Sequence, residues 1–301
     1  ASSTSVGSSY DGVNIVNGTT NIETNDDVNL RPVGEVNIVT KRGKVTIGET
    51  DGEINSNVNV TTKSGKITTI GKFTGETNLT TNSGDFVISW LKNANIKTTY
   101  GQVDANRIDS GTINAGNSNV TILFVQENIN IVTRGGDVKL GSKSSSFDGS
   151  ATIKTTVGDV SINNAKGKTY EITTEYGDIV INAVENNKSN LKLTSYRGDI
   201  TANNCCAESE IKSNGKINCT VISRTAKMVI EGKNKEVCVK LKYKYVYSLH
   251  SNKLNNIYIN GEVIESSEDA TESVYDPEPS YGGLDRLKVN TNKGKIVIQD
   301  A

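Results

Sequence analysis

The sequence predicts an all-β fold, a single-stranded parallel β-helix (β-solenoid) with about a dozen coils of roughly 19 residues each. Three observations predict this fold. One short strand–turn–strand unit recurs around a glycine along most of the chain, and the spacing of these glycines stays near one value. The 301 residues are only 34% hydrophobic and 5% aromatic, which suits narrow coils that each bury a thin strip of β-branched side chains.

The repeated unit has apolar residues five positions before its glycine and two and four positions after it, and usually Thr three positions before it. Because these positions share the parity of a strand, their side chains face one way and their polar neighbours face solvent. The repeated glycines are Gly43, Gly65, Gly84, Gly101, Gly136, Gly158, Gly177, Gly198, Gly215 and Gly294. A weaker copy, Ile113–Ile122, has Ser118 in place of glycine. From Gly43 to Gly215 the mean step is near 19 residues, a length that fits one coil.

The glycine lies at the turn between the two strands of the unit, and such a turn favours a positive φ. We therefore predict a positive φ at the repeated glycines, for instance at Gly158 and Gly177. The inward-facing Thr lies next to the turn, where its hydroxyl can bond a backbone group of the corner. Stacking would pair each strand with the coils on either side, about 4.8 Å away.

The pattern divides the chain into three segments. We expect a flexible N-terminus and irregular cap over residues 1–36, a regular solenoid over 37–241, and cap strands, an acidic loop and a final coil over 242–301. In the last segment we predict an alternating strand at Tyr243–Tyr247 and a turn at Asn260 and Gly261. The acidic, Ser-rich stretch from Glu265 to Gly283 predicts a mobile excursion.

Charge and hydropathy exclude two classes of function. The net charge is -1, and the 33 basic and 34 acidic residues are interspersed, so that the basic stripe typical of nucleic-acid binding is missing. The longest apolar run, Val120–Val125 with Thr121 inside it, is too short for a transmembrane helix. We therefore expect no nucleic-acid partner and no membrane span. The chain begins with Ala, so we expect any targeting segment to lie outside it.

Four carboxylates follow consecutive repeat glycines, and in register they would form a column with neighbours about 5 Å apart. One interpretation is a Ca²⁺ site between coils, because Ca²⁺ prefers several oxygen ligands. The other is that each carboxylate bonds backbone amides of its own turn, and this is the interpretation that we favour. The four candidates are Asp137, Asp159, Asp178 and Asp199. We otherwise expect no metal, no cofactor and no catalytic residue.

Other side chains have competing interpretations. Tyr243, Tyr245, Tyr247 and Tyr258 could form an aromatic surface for a glycan or a protein, or could pack within the C-terminal cap. We expect Trp90 and Phe86 to fill one wide coil. Parity places Cys219 inward and Cys238 outward, and Cys205 and Cys206 in a corner away from both, which predicts four free thiols rather than a disulfide. Free thiols would favour a reducing compartment.

The segments Ile153–Ile162 (IKTTVGDVSI) and Ile172–Ile181 (ITTEYGDIVI) carry a repeated apolar-x-Thr-x-x-Gly-Asp-apolar-x-apolar motif. This motif resembles that of a bacterial adhesin family of β-solenoid domains of unknown function, related to auto-transporter adhesin head domains, with some eukaryotic relatives. The resemblance covers residues 35–300. The chain departs from the motif by having Lys after the glycine at both ends of the series, at Lys44, Lys66, Lys216 and Lys295.

The resemblance implies a structural or adhesive module, not an enzyme, that binds another macromolecule through its surface. The partner would be a protein or a glycan, and the location extracellular or at the cell surface. One alternative is a scaffold subunit of an intracellular or mitochondrial assembly. Another is a carbohydrate-active β-helix enzyme, a class that uses clustered Asp residues but usually carries long loops over a cleft, whereas the turns here are short.

Overall fold

The computed structural model describes residues 3–6, 10–14, 18–144, 147–182, 189–277 and 287–301. It confirms the fold class: parallel coils of about 19 residues stack as a β-solenoid of about 11 turns. The described residues contain no helix, and so none that could cross a membrane. The chain divides into two compact units, residues 1–153 and 154–301.

The described residues of the first unit form twelve strands, and a thirteenth spans the end of the unit. They are β1 (Ser3–Val6), β2 (Tyr10–Asn14), β3 (Thr20–Thr24), β4 (Val28–Arg31), β5 (Val36–Thr40), β6 (Val45–Ile54), β7 (Val58–Thr62), β8 (Ile67–Thr81), β9 (Phe86–Thr98), β10 (Val103–Asn114), β11 (Val120–Val132), β12 (Val138–Leu140) and β13 (Ser150–Thr155).

Parallel register holds the coils of the first unit together. One column of paired residues follows the end of the turn in each coil, and all of its members are buried and apolar. It runs Val28, Val45, Ile67, Phe86, Val103, Val120 and Val138. In β8 to β11 the strand continues around the far side of the coil, which makes these four strands 12 to 15 residues long.

The second unit contains the remaining strands. They are β14 (Val160–Ile162), β15 (Thr169–Thr174), β16 (Ile179–Asn182), β17 (Asn190–Ser195), β18 (Ile200–Cys205), β19 (Glu208–Ser213), β20 (Ile217–Val221), β21 (Met228–Glu231), β22 (Val237–Leu241), β23 (Tyr247–Ser251), β24 (Ile257–Ile259), β25 (Glu262–Val263), β26 (Ser273–Tyr275), β27 (Leu287–Thr291) and β28 (Ile296–Asp300). Its coils stack in the same parallel way, with Val160 paired to Ile179 and Ile179 to Ile200.

The repeat glycines lie in the corners, but the predicted positive φ is wrong. Among the described glycines, φ is positive at Gly18, Gly48, Gly71, Gly116, Gly141 and Gly261, none of which is a repeat glycine. The repeat positions exclude any residue with a side chain because the backbone of the neighbouring coil lies too close. A Cβ on Gly177 would lie 2.1 Å from the carbonyl oxygen of Gly158, and one on Gly198 would lie 2.0 Å from that of Gly177.

The last coil does not lie at the end of its stack. Strands β27 and β28 lie between the coil of β21 and β22 and the coil of β23 and β24, and they pair in parallel with both. On the other edge of the coil formed by β23 and β24, the short strands β26 and β25 pair antiparallel. Short antiparallel strands of this kind protect a sheet edge from further pairing.

The predicted alternating strand at Tyr243–Tyr247 is wrong. The chain bends and turns a corner there, and only Tyr247 belongs to a strand. Tyr245 is buried in the corner, where its hydroxyl donates a hydrogen bond to the carbonyl of Ala226. The predicted turn is confirmed, because Asn260 and Gly261 have φ of 48° and 83° and connect β24 to β25.

The three predicted segment boundaries stay a prediction. A regular coil is already present at β3 and β4, which pair in register with β5 and β6. The predicted excursion from Glu265 to Gly283 lies partly outside the described residues, and its described part includes β26.

Candidate functional site: corner ladders, a cation–aromatic stack and a charged groove

The inward Thr residues form hydrogen bonds with backbone groups of the corners, as predicted. In several coils the Thr hydroxyl donates to the carbonyl of its own repeat glycine, as from Thr40 to Gly43 at 2.8 Å and from Thr174 to Gly177 at 2.7 Å. In others the hydroxyl accepts from the glycine amide, as Thr81 does from Gly84. Each hydroxyl is buried with its partner, so these side chains stabilise the fold and have little capacity left for a ligand.

The Asp column forms a hydrogen-bond ladder between coils. Asp159 Oδ1 accepts the backbone N–H of Asp178 at 2.8 Å, and Asp178 Oδ1 accepts that of Asp199 at 2.7 Å. Asp199 Oδ1 in turn accepts the N–H of Lys216 at 2.8 Å. The bonded amide belongs to the next coil, not to the residue's own turn as expected, because the coil spacing brings it within reach. The fourth candidate, Asp137, donates its own N–H to Asn119 Oδ1 at 2.9 Å.

This ladder has no feature of a metal site in the part of the chain that the structure describes. Groups of three or more His, Cys, Asp or Glu side chains that could hold an ion are absent from the described residues. The single His, His250, lies 2.8 Å from Glu272 through Nε2 and forms an exposed pair near the C-terminal edge. The four Asp candidates therefore stay weak candidates for metal binding, and their geometry fits a structural role.

A cation–aromatic stack runs across the outer face of the first unit. Lys72, Trp90, Arg107 and Phe124 are register partners on β8, β9, β10 and β11. The Lys72 ammonium lies 4.5 Å from the Trp90 ring centroid, and the Arg107 guanidinium lies 3.9 Å from it on the next strand. Arg107 also lies 4.9 Å from the Phe124 ring. Such contacts stabilise by about 0.5–2 kcal/mol each.

The expectation that Trp90 fills the core is therefore wrong, while Phe86 is buried as expected. The inward alternation of β9 breaks between Ile88 and Leu91, which are both buried three residues apart, and Trp90 lies in that break, where it is only half-buried. Asp109, 6% exposed, fixes the stack by accepting from Trp90 Nε1 at 3.2 Å and from Arg107 Nε at 2.6 Å. Because a cation covers the ring from each neighbouring strand, the Trp90 face is not open for a sugar to stack on.

The second unit carries a surface groove with a volume of about 430 Å³. Its floor crosses β15, β17, β19 and the start of β21. Eleven residues line it: Thr169, Tyr170, Glu171, Asn190, Leu191, Lys192, Glu208, Ser209, Glu210, Lys227 and Val229. We call this feature the charged groove.

Charges of both signs alternate along the charged groove. Glu171, Lys192 and Glu210 are register partners on three adjacent strands, so that a cation lies between two carboxylates. Glu208 and Lys227 lie beside this row. All five side chains are exposed. Among the described residues none of the five lies within 4.0 Å of an opposite charge, so their charges stay available to a partner.

The charged groove was not among the sites predicted from the sequence. A signal was present, because Glu171 and Lys192 both lie six positions before a repeat glycine and Glu210 lies five positions before one. Outward residues at equivalent places in consecutive coils become neighbours in a solenoid. The change from six to five positions at the coil of Gly215 hides this regularity.

The four cysteines are free thiols, as predicted. Cys219 faces the core and Cys238 is half-buried on the outer side, where it pairs with Asn218 and not with Cys219. Burial raises the pKa of the Cys219 thiol well above its ordinary value and also raises the pKa values of Cys205 and Cys238. Cys205 is also in the core, near enough to raise the pKa of Cys219 further, so the expectation that it lies away from Cys219 is wrong.

The four C-terminal tyrosines do not form one surface. Tyr245 is buried, while Tyr247 stacks on Tyr275 with ring centroids 5.4 Å apart. Burial, and then the neighbouring Tyr275, raise the pKa of the Tyr247 hydroxyl. Tyr243 lies under Arg224, and Tyr258 under Lys295. These contacts agree with packing within the C-terminal cap.

The fold and the groove show that the chain belongs to the class of β-solenoid repeat proteins and carries a shallow charged groove on its surface. Residues 91–205, from β9 to the end of β18, match the family described as Toastrack DUF4097, a β-solenoid-like domain of unknown function. No curated protein and no solved structure matches the chain. The relation to adhesins and the eukaryotic relatives stay predictions.

Proposed function

We propose that this chain is a non-enzymatic β-solenoid module that binds another macromolecule, and that a protein partner docks on the charged groove. The observation that carries the proposal is the alternating row of Glu171, Lys192 and Glu210, whose exposed charges have no ion-pair partner among the described residues. A protein surface can supply complementary charges of both signs at this spacing, whereas one uniformly charged polymer would meet repulsion at every second position.

The apolar part of the groove supports a protein partner as well. Lys192, Lys227 and Val229 line the groove, and long charged side chains can present their methylene groups as apolar contact surface. Docking would bury this surface while the charged ends form pairs at the rim. Rim charges of this kind set the association rate and the choice of partner more than the affinity itself.

The other polar columns support the choice of this groove. The inward Thr residues and the Asp ladder already use their hydrogen bonds between and within coils, and the cations of the cation–aromatic stack already lie over its rings. In the charged groove, by contrast, five charged side chains lie together and none of them has an ion-pair partner among the described residues.

The compartment stays a proposal. A cell-surface location follows from the adhesin resemblance, with a mitochondrial location as the alternative. The four free thiols favour a reducing compartment, since disulfides form and persist in oxidising ones. The scaffold and carbohydrate-active alternatives also stay predictions.

Affinity capture with a matched pair of charge reversals tests the proposed function. Lys192→Glu reverses the cation at the centre of the groove, and Lys240→Glu makes the same change on the exposed outer side of β22, away from the groove. Wild type, Lys192→Glu and Lys240→Glu are immobilised and exposed to extract from the native source, and retained proteins are quantified by mass spectrometry.

We expect one protein to be retained equally by wild type and Lys240→Glu and about tenfold less by Lys192→Glu, a difference of about 1.4 kcal/mol. Binding should also weaken as salt is raised, because exposed charges are screened. Equal retention by all three proteins, or retention of glycans with no protein, would contradict the proposal.

A further inference from the structure

The final coil, made of β27 and β28, lies between two coils that precede it in the sequence. Leu287 pairs with Met228 on one side and with Tyr247 on the other. Ile296 likewise pairs with Val237 and with Ile257. In the sequence, the coil of β23 and β24 therefore comes before the final coil. The chain then returns, so that the final coil lies between the coil of β23 and β24 and the coil of β21 and β22.

The two flanking coils have the spacing of direct neighbours. Tyr247 follows Met228 by 19 residues and Ile257 follows Val237 by 20, close to the ordinary step of about 19 residues per coil. Both pair with the same residue of the final coil, so their registers are equal. If the final coil were removed, β21 could pair with β23 with no register slip.

The core would also be preserved by such an exchange. At the inward position of this column, Ile230, Val289 and Leu249 are register partners and all are buried. In the second column, Val237, Ile296 and Ile257 are register partners and are also buried. The residues at these two levels are aliphatic and of similar size, so the flanking coils can pack against each other there as they pack against the final coil. At the level of Met228 and Leu287, the residue of β23 is the larger, half-buried Tyr247.

We propose that the final coil is an exchangeable insert, and that the chain has a second arrangement in which β21 and β22 pair directly with β23 and β24. In that arrangement residues 287–301 leave the stack. The inserted arrangement predominates because β27 and β28 bond along both of their edges. The direct arrangement is the one that residues 228–259 can form during synthesis, before residue 287 has emerged.

Disulfide trapping in the full-length chain tests this proposal, with Cys238→Ser as the background to remove the half-buried thiol. Val229, Lys288 and Ser248 are register partners on β21, β27 and β23 and point outward. In the inserted arrangement, Val229 and Ser248 lie two strand spacings apart, about 9.6 Å. A disulfide needs Cα atoms about 4.4–6.8 Å apart. The pair Val229→Cys with Ser248→Cys therefore bridges only in the direct arrangement.

Two control pairs of cysteine substitutions provide reference rates of disulfide formation. Val229→Cys with Lys288→Cys joins adjacent strands of the inserted arrangement and should oxidise fastest. Glu210→Cys with Lys288→Cys also spans two strand spacings, since Glu210 pairs with Val229, but no alternative coil order brings these two residues together. It measures bridging by general unfolding.

We expect Val229→Cys with Ser248→Cys to oxidise more slowly than the adjacent pair but at least tenfold faster than Glu210→Cys with Lys288→Cys. Once oxidised, the trapped chain should be cut by trypsin after Lys288, Lys293 or Lys295, and reduction should restore resistance. Oxidation no faster than that of the two-spacing control, or a trapped chain that stays resistant to trypsin, would overturn the proposal.

Discussion

Gly136 and Gly135 provide a test of why glycine recurs in this sequence. A Cβ on Gly136 would lie 1.7 Å from the carbonyl oxygen of Ser118 in the neighbouring coil and 2.2 Å from its carbonyl carbon. A Cβ on Gly135 would meet only the Asn117 side chain, at 3.3 Å from Oδ1. Neither glycine has a positive φ, so backbone strain does not distinguish them. Gly136→Ala and Gly135→Ala therefore differ in the contact between coils.

The expected loss of stability in Gly136→Ala can be worked out from the shift of the corner that the added Cβ requires. Relief of the contact requires the corner to shift by more than 1 Å, and an overpacked core typically costs about 1–3 kcal/mol. The shift also strains the bond from Thr133 Oγ1 to the Gly136 carbonyl at 2.7 Å and the bond from the Asp137 N–H to Asn119 Oδ1 at 2.9 Å. With about 1 kcal/mol for each lost bond, the total is about 3–5 kcal/mol.

Urea denaturation followed by circular dichroism measures the effect as a change in the free energy of unfolding. Gly135→Ala should be neutral or stabilising by up to about 1 kcal/mol, because Ala restricts the unfolded chain more than Gly does. If the free energies of unfolding of Gly136→Ala and Gly135→Ala lay within about 0.5 kcal/mol of each other, the explanation of the glycine column as a steric requirement would be refuted.

Four further predictions concern the core, the corner and the thiols. Ile179→Asp buries a charge without a partner and should unfold the middle coils, whereas Val180→Asp on the outer face should shift the thermal midpoint little; equal shifts would mean that the register is wrong. Thr174→Val should cost about 1–2 kcal/mol in urea denaturation and Thr173→Val, at an exposed position, close to none; similar costs would argue against the corner bond. Thiol titration of the denatured, unreduced protein should find four reactive groups, and fewer would reveal a disulfide. Burial raises the pKa of the Cys219 thiol, so the folded state holds this proton more tightly than the unfolded chain does. The resulting contribution to the free energy of unfolding is fully present below about pH 8.5, the ordinary thiol pKa, and is lost as the pH rises further. Stability should thus fall less steeply above pH 8.5 in Cys219→Ala than in wild type, and parallel pH profiles would contradict the raised pKa.

The sequence could predict the coils because their determinants are local. Strand parity identifies the inward residues, as at Val160 and Ile162, and the repeat identifies the corner glycine and its Thr. The reason for the glycine could not be predicted, because it depends on the distance between neighbouring coils. The position of Trp90 outside the core likewise depends on a break in the alternation of β9 between Ile88 and Leu91, which no repeat position indicates.

The order of the last coils could not be predicted from the repeat pattern either, because it depends on pairing between distant residues. The pattern places each unit next to the preceding one, and the step of 19 residues from Met228 to Tyr247 fits that order. The observed partner of Met228 is Leu287, 59 residues away. Pairing over that distance depends on the path of the whole segment between them, including the antiparallel strands β25 and β26, rather than on any local signal.

The fold requires that each coil pairs in parallel with its neighbours in the stack at one strand spacing. A crystal structure measures this most directly, through the Cα separations of Val160, Ile179 and Ile200. We expect one parallel column with about 4.8 Å between successive members, and the carboxylates of Asp159 and Asp178 on the amides of Asp178 and Asp199 in the following coils. Antiparallel hairpin pairing of these strands, or a register shifted by one residue, would contradict it.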